Sequence, residues 1–125
     1  MKKVLVCISI VALVVIVFFV FSSSDGNRAV DIVKNGNLDG YPGKTLGQAL
    51  ESFMSNVKWE PIKADNSEIY VNIRGGLTYN GAPVNGLVQY HVDLNTRRFT
   101  FQAFEINGQP MNLATYLELI EKAFE

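Results

Sequence analysis

The sequence predicts an α+β protein: an N-terminal transmembrane helix, then a helix, a four-stranded antiparallel meander and a closing helix, with both of the later helices packed on one face of the sheet. Three observations carry that expectation. Lys2 and Lys3 precede an uncharged apolar run from Val4 to Phe21. Apolar and polar residues alternate with period two between residues 69 and 106, as half-buried strands require. Stripes at helical spacing stand on either side of those strands.

The apolar run is 18 residues long, and at about 1.5 Å per residue a helix of that length nearly crosses the roughly 30 Å hydrocarbon core of a bilayer. Signal-peptide cores are shorter, about 7 to 15 residues, so residues 1–22 are expected to be a retained anchor. Ser22-Ser23-Ser24 also offers the small residues that a signal peptidase prefers, and cleavage after Ser24 with secretion is the alternative. The two lysines orient the chain by the positive-inside rule, placing the N-terminus in the cytoplasm and the remainder outside a bacterial inner membrane. Cys7, the only cysteine, lies within the run. The apolar stretch follows it rather than preceding it, unlike a lipoprotein processing site, so it reads as a small apolar residue. The exported part can therefore form no intramolecular disulfide and must rest on core packing.

After the run the chain carries nine basic and twelve acidic residues. That balance provides no excess positive charge to release counterions from a phosphate backbone, which argues against nucleic acid as a partner. The predicted partners are the membrane, through residues 4–21, and another envelope protein.

Residues 23–34 read as a Ser/Gly/Asp spacer leading into a short helix from Arg28 to Lys34, with Val30 and Val33 on one side. Residues 35–125 then form the exported domain. Asn35-Gly36-Asn37 and Asp39-Gly40-Tyr41-Pro42-Gly43 are dense in turn formers and predict a loop. Gly43-Lys44-Thr45 lacks the first glycine of a phosphate-binding loop, because Leu38 stands at that distance. Thr45 and Gln48 form a capping box for a helix over about 46 to 56, with Leu46, Ala49, Leu50, Phe53 and Val57 as its apolar stripe. Trp59 and Ile62 flank Pro61, which cannot donate to a ladder and so suits an edge strand.

The strand from Ile69 to Tyr79 has Ile69, Val71, Ile73 and Leu77 on one face and Tyr70, Asn72, Arg74 and Thr78 on the other. After Asn80-Gly81-Ala82-Pro83 the next strand turns Val84, Val88, Tyr90, Val92 and Leu94 inward. Asn95-Thr96 closes a second hairpin into residues 98–106. Pairing apolar with apolar residues puts Tyr79 opposite Val84 and Leu94 opposite Arg97. On the outward face it sets His91 between Asn72 and Thr100, Gln89 between Arg74 and Gln102, and Asp93 between Tyr70 and Arg98. Gln109-Pro110 stops the last strand, and Asn112 or its neighbour caps a helix with Leu113, Tyr116, Leu117, Ile120 and Phe124 as its stripe.

The stretch Val33-Lys34-Asn35-Gly36 through Trp59 resembles the opening of small uncharacterised bacterial domains that follow a membrane anchor. Their cadence is Gly-x-Leu-x-Gly-Tyr-Pro, Thr-Ile/Leu-Gly, an aromatic-bearing helix, then Trp. Gly36, Leu38, Gly40, Tyr41, Pro42, Thr45, Leu46, Gly47, Phe53 and Trp59 match as they stand, whereas Ala49-Leu50 and Met54 replace common aromatics. The resemblance implies an extracytoplasmic accessory module and carries over no catalytic residue.

No residue constellation suggests catalysis, and no cofactor fingerprint is present. His91 is the only histidine, and with Asp93 it falls short of the three protein ligands of a catalytic zinc. Ser52, Ser55 and Ser67 have no pairing to it in the predicted layout. Asp31, Asp39, Glu51 and Glu60 have no spacing that singles out a glycosidase pair. The candidate interaction residues are Tyr41, in a loop held by Pro42, and Arg74, Gln89, His91 and Arg98 on the outward sheet face. Arg74, Arg97 and Arg98 are expected to gather into a basic cluster there. The expected function is that of a non-enzymatic, single-pass envelope protein serving assembly, exclusion or immunity. A small-ligand or cell-wall-glycan binder using Tyr41 and Trp59 is the alternative, and a glycan hydrolase a more distant one.

Overall fold

The computed structural model describes residues 24–125. The anchor expected over residues 4–21 lies outside the described residues, and among those described no helix is long and apolar enough to cross a membrane. The elements are α1 (Ser24–Lys34), α2 (Leu46–Phe53), β1 (Ser55–Lys63), β2 (Ile69–Tyr79), β3 (Ala82–Asp93), β4 (Arg98–Ile106), β5 (Gln109–Pro110) and α3 (Leu113–Ala123). The fold is α+β, with one antiparallel sheet of five strands in the order β1-β2-β3-β4-β5.

α1 occupies most of the stretch that reads as a spacer. Gly26, Ala29, Ile32 and Val33 are its buried residues, and their three- and four-residue intervals lay one face on the core. Tertiary burial thus overrides a Ser/Gly/Asp composition that by itself suits a linker. α2 begins as its capping box dictates: Gln48 N donates to Thr45 Oγ1 at 3.1 Å and Thr45 N donates to Gln48 Oε1 at 2.9 Å. It ends at Phe53, and Ser55 already belongs to the edge strand. α3 is capped by Asn112, whose Oδ1 accepts from Thr115 N at 2.9 Å.

The helices and one face of the sheet share a single core that includes Ala29, Val33, Leu50, Ile73, Tyr90 and Ile120. Two predicted stripes shift at their margins. Phe53 is 37 % exposed, and Leu113 and Leu117 are 56 % and 53 % exposed, while Leu119 and Ala123 are buried instead. α3 is therefore rotated so that positions 116, 119, 120 and 123 face the sheet.

The first hairpin departs from its predicted register. Leu77, not Tyr79, pairs with Val84, and Tyr79 pairs with Ala82. Asn80 (φ 52°) and Gly81 (φ 79°) both adopt positive φ, the combination that a two-residue type I′ turn requires. The loop is thus two residues long, and Ala82-Pro83 belongs to β3. Asn107 (φ 52°) and Gly108 (φ 79°) repeat the device and return the chain as β5, which pairs with Glu105 and Ile106. The sheet gains a fifth strand where the sequence predicts a stop. In the second hairpin the register holds near the turn, with Asp93 opposite Arg98 and His91 opposite Thr100, until a bulge at Gln89/Tyr90 shifts it.

Candidate functional site

The described helices cover one face of the sheet, and on the other the side chains stand in three cross-strand rows, with Ile62, Asn72, Gln89, Leu87 and Glu105 buried. Ile62, Tyr70, His91 and Thr100 form the first row; Glu60, Asn72, Gln89 and Ala103 the second; Lys58, Arg74, Leu87 and Glu105 the third. Directly opposed side chains in such rows lie within about 5.5 Å at Cβ, so each row is a unit of contact.

In the first row His91 Nε2 lies 2.8 Å from Glu68 Oε1, and the edge of Tyr70 meets the imidazole with ring centroids 5.2 Å apart. Burial, and then the Glu68 charge, raise the Tyr70 phenol above its ordinary value. In the second row Gln89 Nε2 donates to Asn72 Oδ1 at 2.8 Å, and both side chains are buried. Gln89 Oε1 has no hydrogen-bond partner among the described residues. In the third, Arg74 Nε donates to Glu60 Oε1 at 2.8 Å. Burial pushes the Glu105 carboxyl up, and the Arg74 charge opposes that shift.

Four of the candidate residues therefore share this face by register: Arg74, Gln89, His91 and Arg98, the last of these two positions before Thr100 on β4. Their neighbours differ from those expected, because the two-residue turn moves each β2 partner by two positions: His91 faces Tyr70 rather than Asn72, and Gln89 faces Asn72 rather than Arg74. The basic cluster does not assemble. Arg74 lies across from Leu87 and Arg98 across from Asp93, a separation of about 20 Å along the strand. Arg98 instead joins Arg97 beside a shallow cleft of about 640 Å³, whose other wall is the loop at Asn37, Leu38 and Asp39.

Tyr41 packs against Phe124 with ring centroids 4.7 Å apart and is half-buried against the core, so its loop closes over the interior. Trp59 Nε1 donates to Glu51 Oε2 at 2.9 Å, and Lys34 Nζ lies 5.2 Å from its ring centroid. Both aromatics on which a glycan reading relies are thus engaged in packing. Ser52 Oγ donates to Ala49 O within α2, in the helix layer on the far side of the sheet from His91. Asp93 Oδ1 accepts from Asn95 N at 2.9 Å and Thr96 N at 3.2 Å, bonds that hold its carboxyl below the usual range. That carboxylate is occupied in shaping the hairpin. Among the described residues no group of three His, Cys, Asp or Glu side chains is placed to hold a metal ion.

Ile62, Tyr70, Asn72 and Leu87 are site residues that the sequence reasoning did not single out. The signal that finds them is Asn80-Gly81, because a two-residue turn there fixes every pair on the face. The chain matches no family model, no curated protein and no solved structure.

Proposed function

We propose that this chain is a membrane-tethered, non-enzymatic interaction module of the bacterial envelope. In this reading it presents to another envelope protein the face of its sheet that the described helices do not cover. The observation that carries the reading is the one-sided arrangement of the described elements: the described helices share a core with one face, while the other carries Arg74 and His91 at accessible positions of its cross-strand rows. An antiparallel sheet can rest one face on a helix layer and devote the second to contact.

The tether is supported by Lys2 and Lys3 ahead of the uncharged run at residues 4–21, a pattern that favours an N-terminus in the cytoplasm. The resemblance of residues 33–59 to membrane-anchored accessory domains points the same way. The polar character of the rows suits a partner recognised by hydrogen bonds and charge, with Tyr70 as an aromatic anchor.

Photo-crosslinkers introduced at Thr100 and Gln102 on this face, and at Glu118 and Glu121 on α3, test the reading in intact cells. A discrete protein adduct from the sheet positions and none from α3 is the expected result. Lipid adducts alone, or equal capture from both faces, overturn it.

A further inference from the structure

The cleft between the 36–39 loop and the second hairpin carries opposite charges on walls that do not meet. Arg97 and Arg98 stand on one side and Asp39 on the other, and all three are exposed. Arg74 and Lys34 close on Glu60 and Glu51 at 2.8 Å and 3.4 Å, whereas among the described residues Arg97, Arg98 and Asp39 enter no ion pair. Asp93 lies across the ladder from Arg98, but its Oδ1 accepts from Asn95 N and Thr96 N instead. Those bonds hold the turn that presents Arg97. Its φ of 59° lets two consecutive side chains border one cleft, where extended backbone would send them to opposite faces. The facing loop is pinned by Asn37 Nδ2, which donates to Lys44 O at 3.0 Å, and by Gly36 O, which accepts from Leu46 N at 2.8 Å. Ile32, Leu38 and Phe99 supply an apolar lining. Phe99 comes so close to Gly36 that a Cβ there would stand 2.8 Å from its Cζ, an approach that needs glycine.

We propose that this cleft binds a small zwitterion, a free amino acid or a short peptide with both ends free. Its carboxylate lies on the guanidiniums of Arg97 and Arg98, its ammonium on Asp39, and an apolar side chain over Leu38 and Phe99. The planar fork of a guanidinium matches a carboxylate in shape as well as charge. Asp39 sets the sign of the other end: it repels a ligand that is negative throughout and attracts one whose far end is positive. A ligand with charges of both signs thus bridges two walls that cannot reach each other. The volume of about 640 Å³ falls within the range of small-molecule sites, roughly 300 to 1,000 Å³. Binding here requires neither the tether nor an envelope partner.

The test uses the full chain, labelled with nitrogen-15 arginine and held in dodecyl maltoside micelles, whose headgroups carry no charge. Leucyl-leucine is titrated while the arginine Nε–H resonances are followed by NMR, with Arg74, already paired with Glu60, as the internal control. Arg97 and Arg98 are expected to shift saturably and Arg74 to stay. N-acetyl-leucyl-leucine, which lacks the ammonium, and leucyl-leucinamide, which lacks the carboxylate, are each expected to bind about tenfold more weakly, the loss of one charge-assisted hydrogen bond. Asp39→Asn is expected to bring leucyl-leucine down to the affinity of its acetylated form without weakening the latter, a split that a merely structural role would not produce. No saturable shift of either arginine, or an equal shift of Arg74, overturns the site. Equal affinity for the free and acetylated dipeptides overturns the zwitterion, and tighter binding of phosphoethanolamine overturns the carboxylate. The comparison of ligands is made on the unaltered chain, so it decides even where Asp39→Asn disturbs the loop.

Discussion

The hydroxyls of Tyr90 on β3 and Tyr116 on α3 lie 2.6 Å apart in the interior, where sheet and closing helix meet. Aromatic rings surround the pair: Phe101 stacks on Tyr116 with centroids 3.8 Å apart, and Phe99 meets Tyr90 edge-on at 5.3 Å. Two polar groups are thus carried into an apolar layer and each satisfies the other, fixing how α3 sits on the sheet.

Removing one partner strands the other. Tyr90→Phe leaves the Tyr116 hydroxyl buried and unpaired, and is expected to cost about 1 to 3 kcal/mol. The double replacement Tyr90→Phe with Tyr116→Phe removes both groups and is expected to cost less than either single change. Urea denaturation of the four proteins of the cycle measures this; additive losses would show that the pair is not coupled.

The same pair predicts an alkaline limit. Burial raises the Tyr90 phenol well above its ordinary value of 10.0, and burial raises Tyr116 while its hydrogen bond to Tyr90 opposes the shift. As pH rises past 10 the unfolded chain releases these protons and the native state keeps them, so the unfolded state binds fewer and stability falls. Below that pH both states are protonated and the pair contributes no pH dependence. Thermal melts from pH 8 to 11 are expected to show the decline, and the double Phe variant to show a shallower one.

The strands of the meander were legible because their period-two pattern is long, and both caps were legible because Thr45-x-x-Gln48 and Asn112 carry their own hydrogen-bond chemistry. The registers were less so. Apolar matching alone tolerates a shift of two residues, since parity is preserved, and only the positive φ of Asn80 and Gly81 removes that ambiguity. The fifth strand went unread for the same reason at Asn107-Gly108. α1 was obscured because its burial depends on partners distant in sequence. Arg74, Gln89, His91 and Arg98 were placed on the correct face by parity, whereas Tyr41 could be assigned to the core only once Phe124 was seen beside it.

Glu105 is a buried carboxylate whose protonation is favoured by the fold, with burial the dominant cause and Arg74 acting against it. A carboxyl raised above its ordinary 4.5 lowers stability as pH climbs through that region, because the native state holds a proton that the unfolded chain releases. Glu105→Gln is expected to raise the melting temperature at pH 7 and to leave it unchanged near pH 3. Calorimetry at the two pH values decides this; a loss of stability at pH 7 would show that the carboxylate serves the fold in its ionised form.

Ile120 and Phe53 test the two ends of the helix layer. The sequence predicts equal burial, yet Ile120 is 2 % exposed and Phe53 37 % exposed. Ile120→Ala opens a cavity against the sheet and is expected to cost about 2 to 5 kcal/mol. Phe53→Ala leaves space that solvent can fill, and its expected cost is less than half as large. Comparable losses in chemical denaturation would place Phe53 in the core after all.

Gly47 sets helix propensity against packing. It lies in the first turn of α2, where alanine would ordinarily favour the helix by about 1 kcal/mol. A Cβ at this position would stand 2.7 Å from the Lys34 carbonyl oxygen and 3.3 Å from its carbonyl carbon, both backbone atoms at the end of α1. Backbone at a helix terminus cannot rotate aside as a side chain can, so α1 and α2 would have to separate. Gly47→Ala is therefore expected to destabilise by about 1 to 3 kcal/mol, the usual cost of overpacking, and to loosen Lys34 from its contacts with Glu51 and Trp59. Urea denaturation gives the magnitude and Trp59 fluorescence the local consequence. A stabilised variant would mean that the two helices do not meet as closely as Lys34 and Gly47 require.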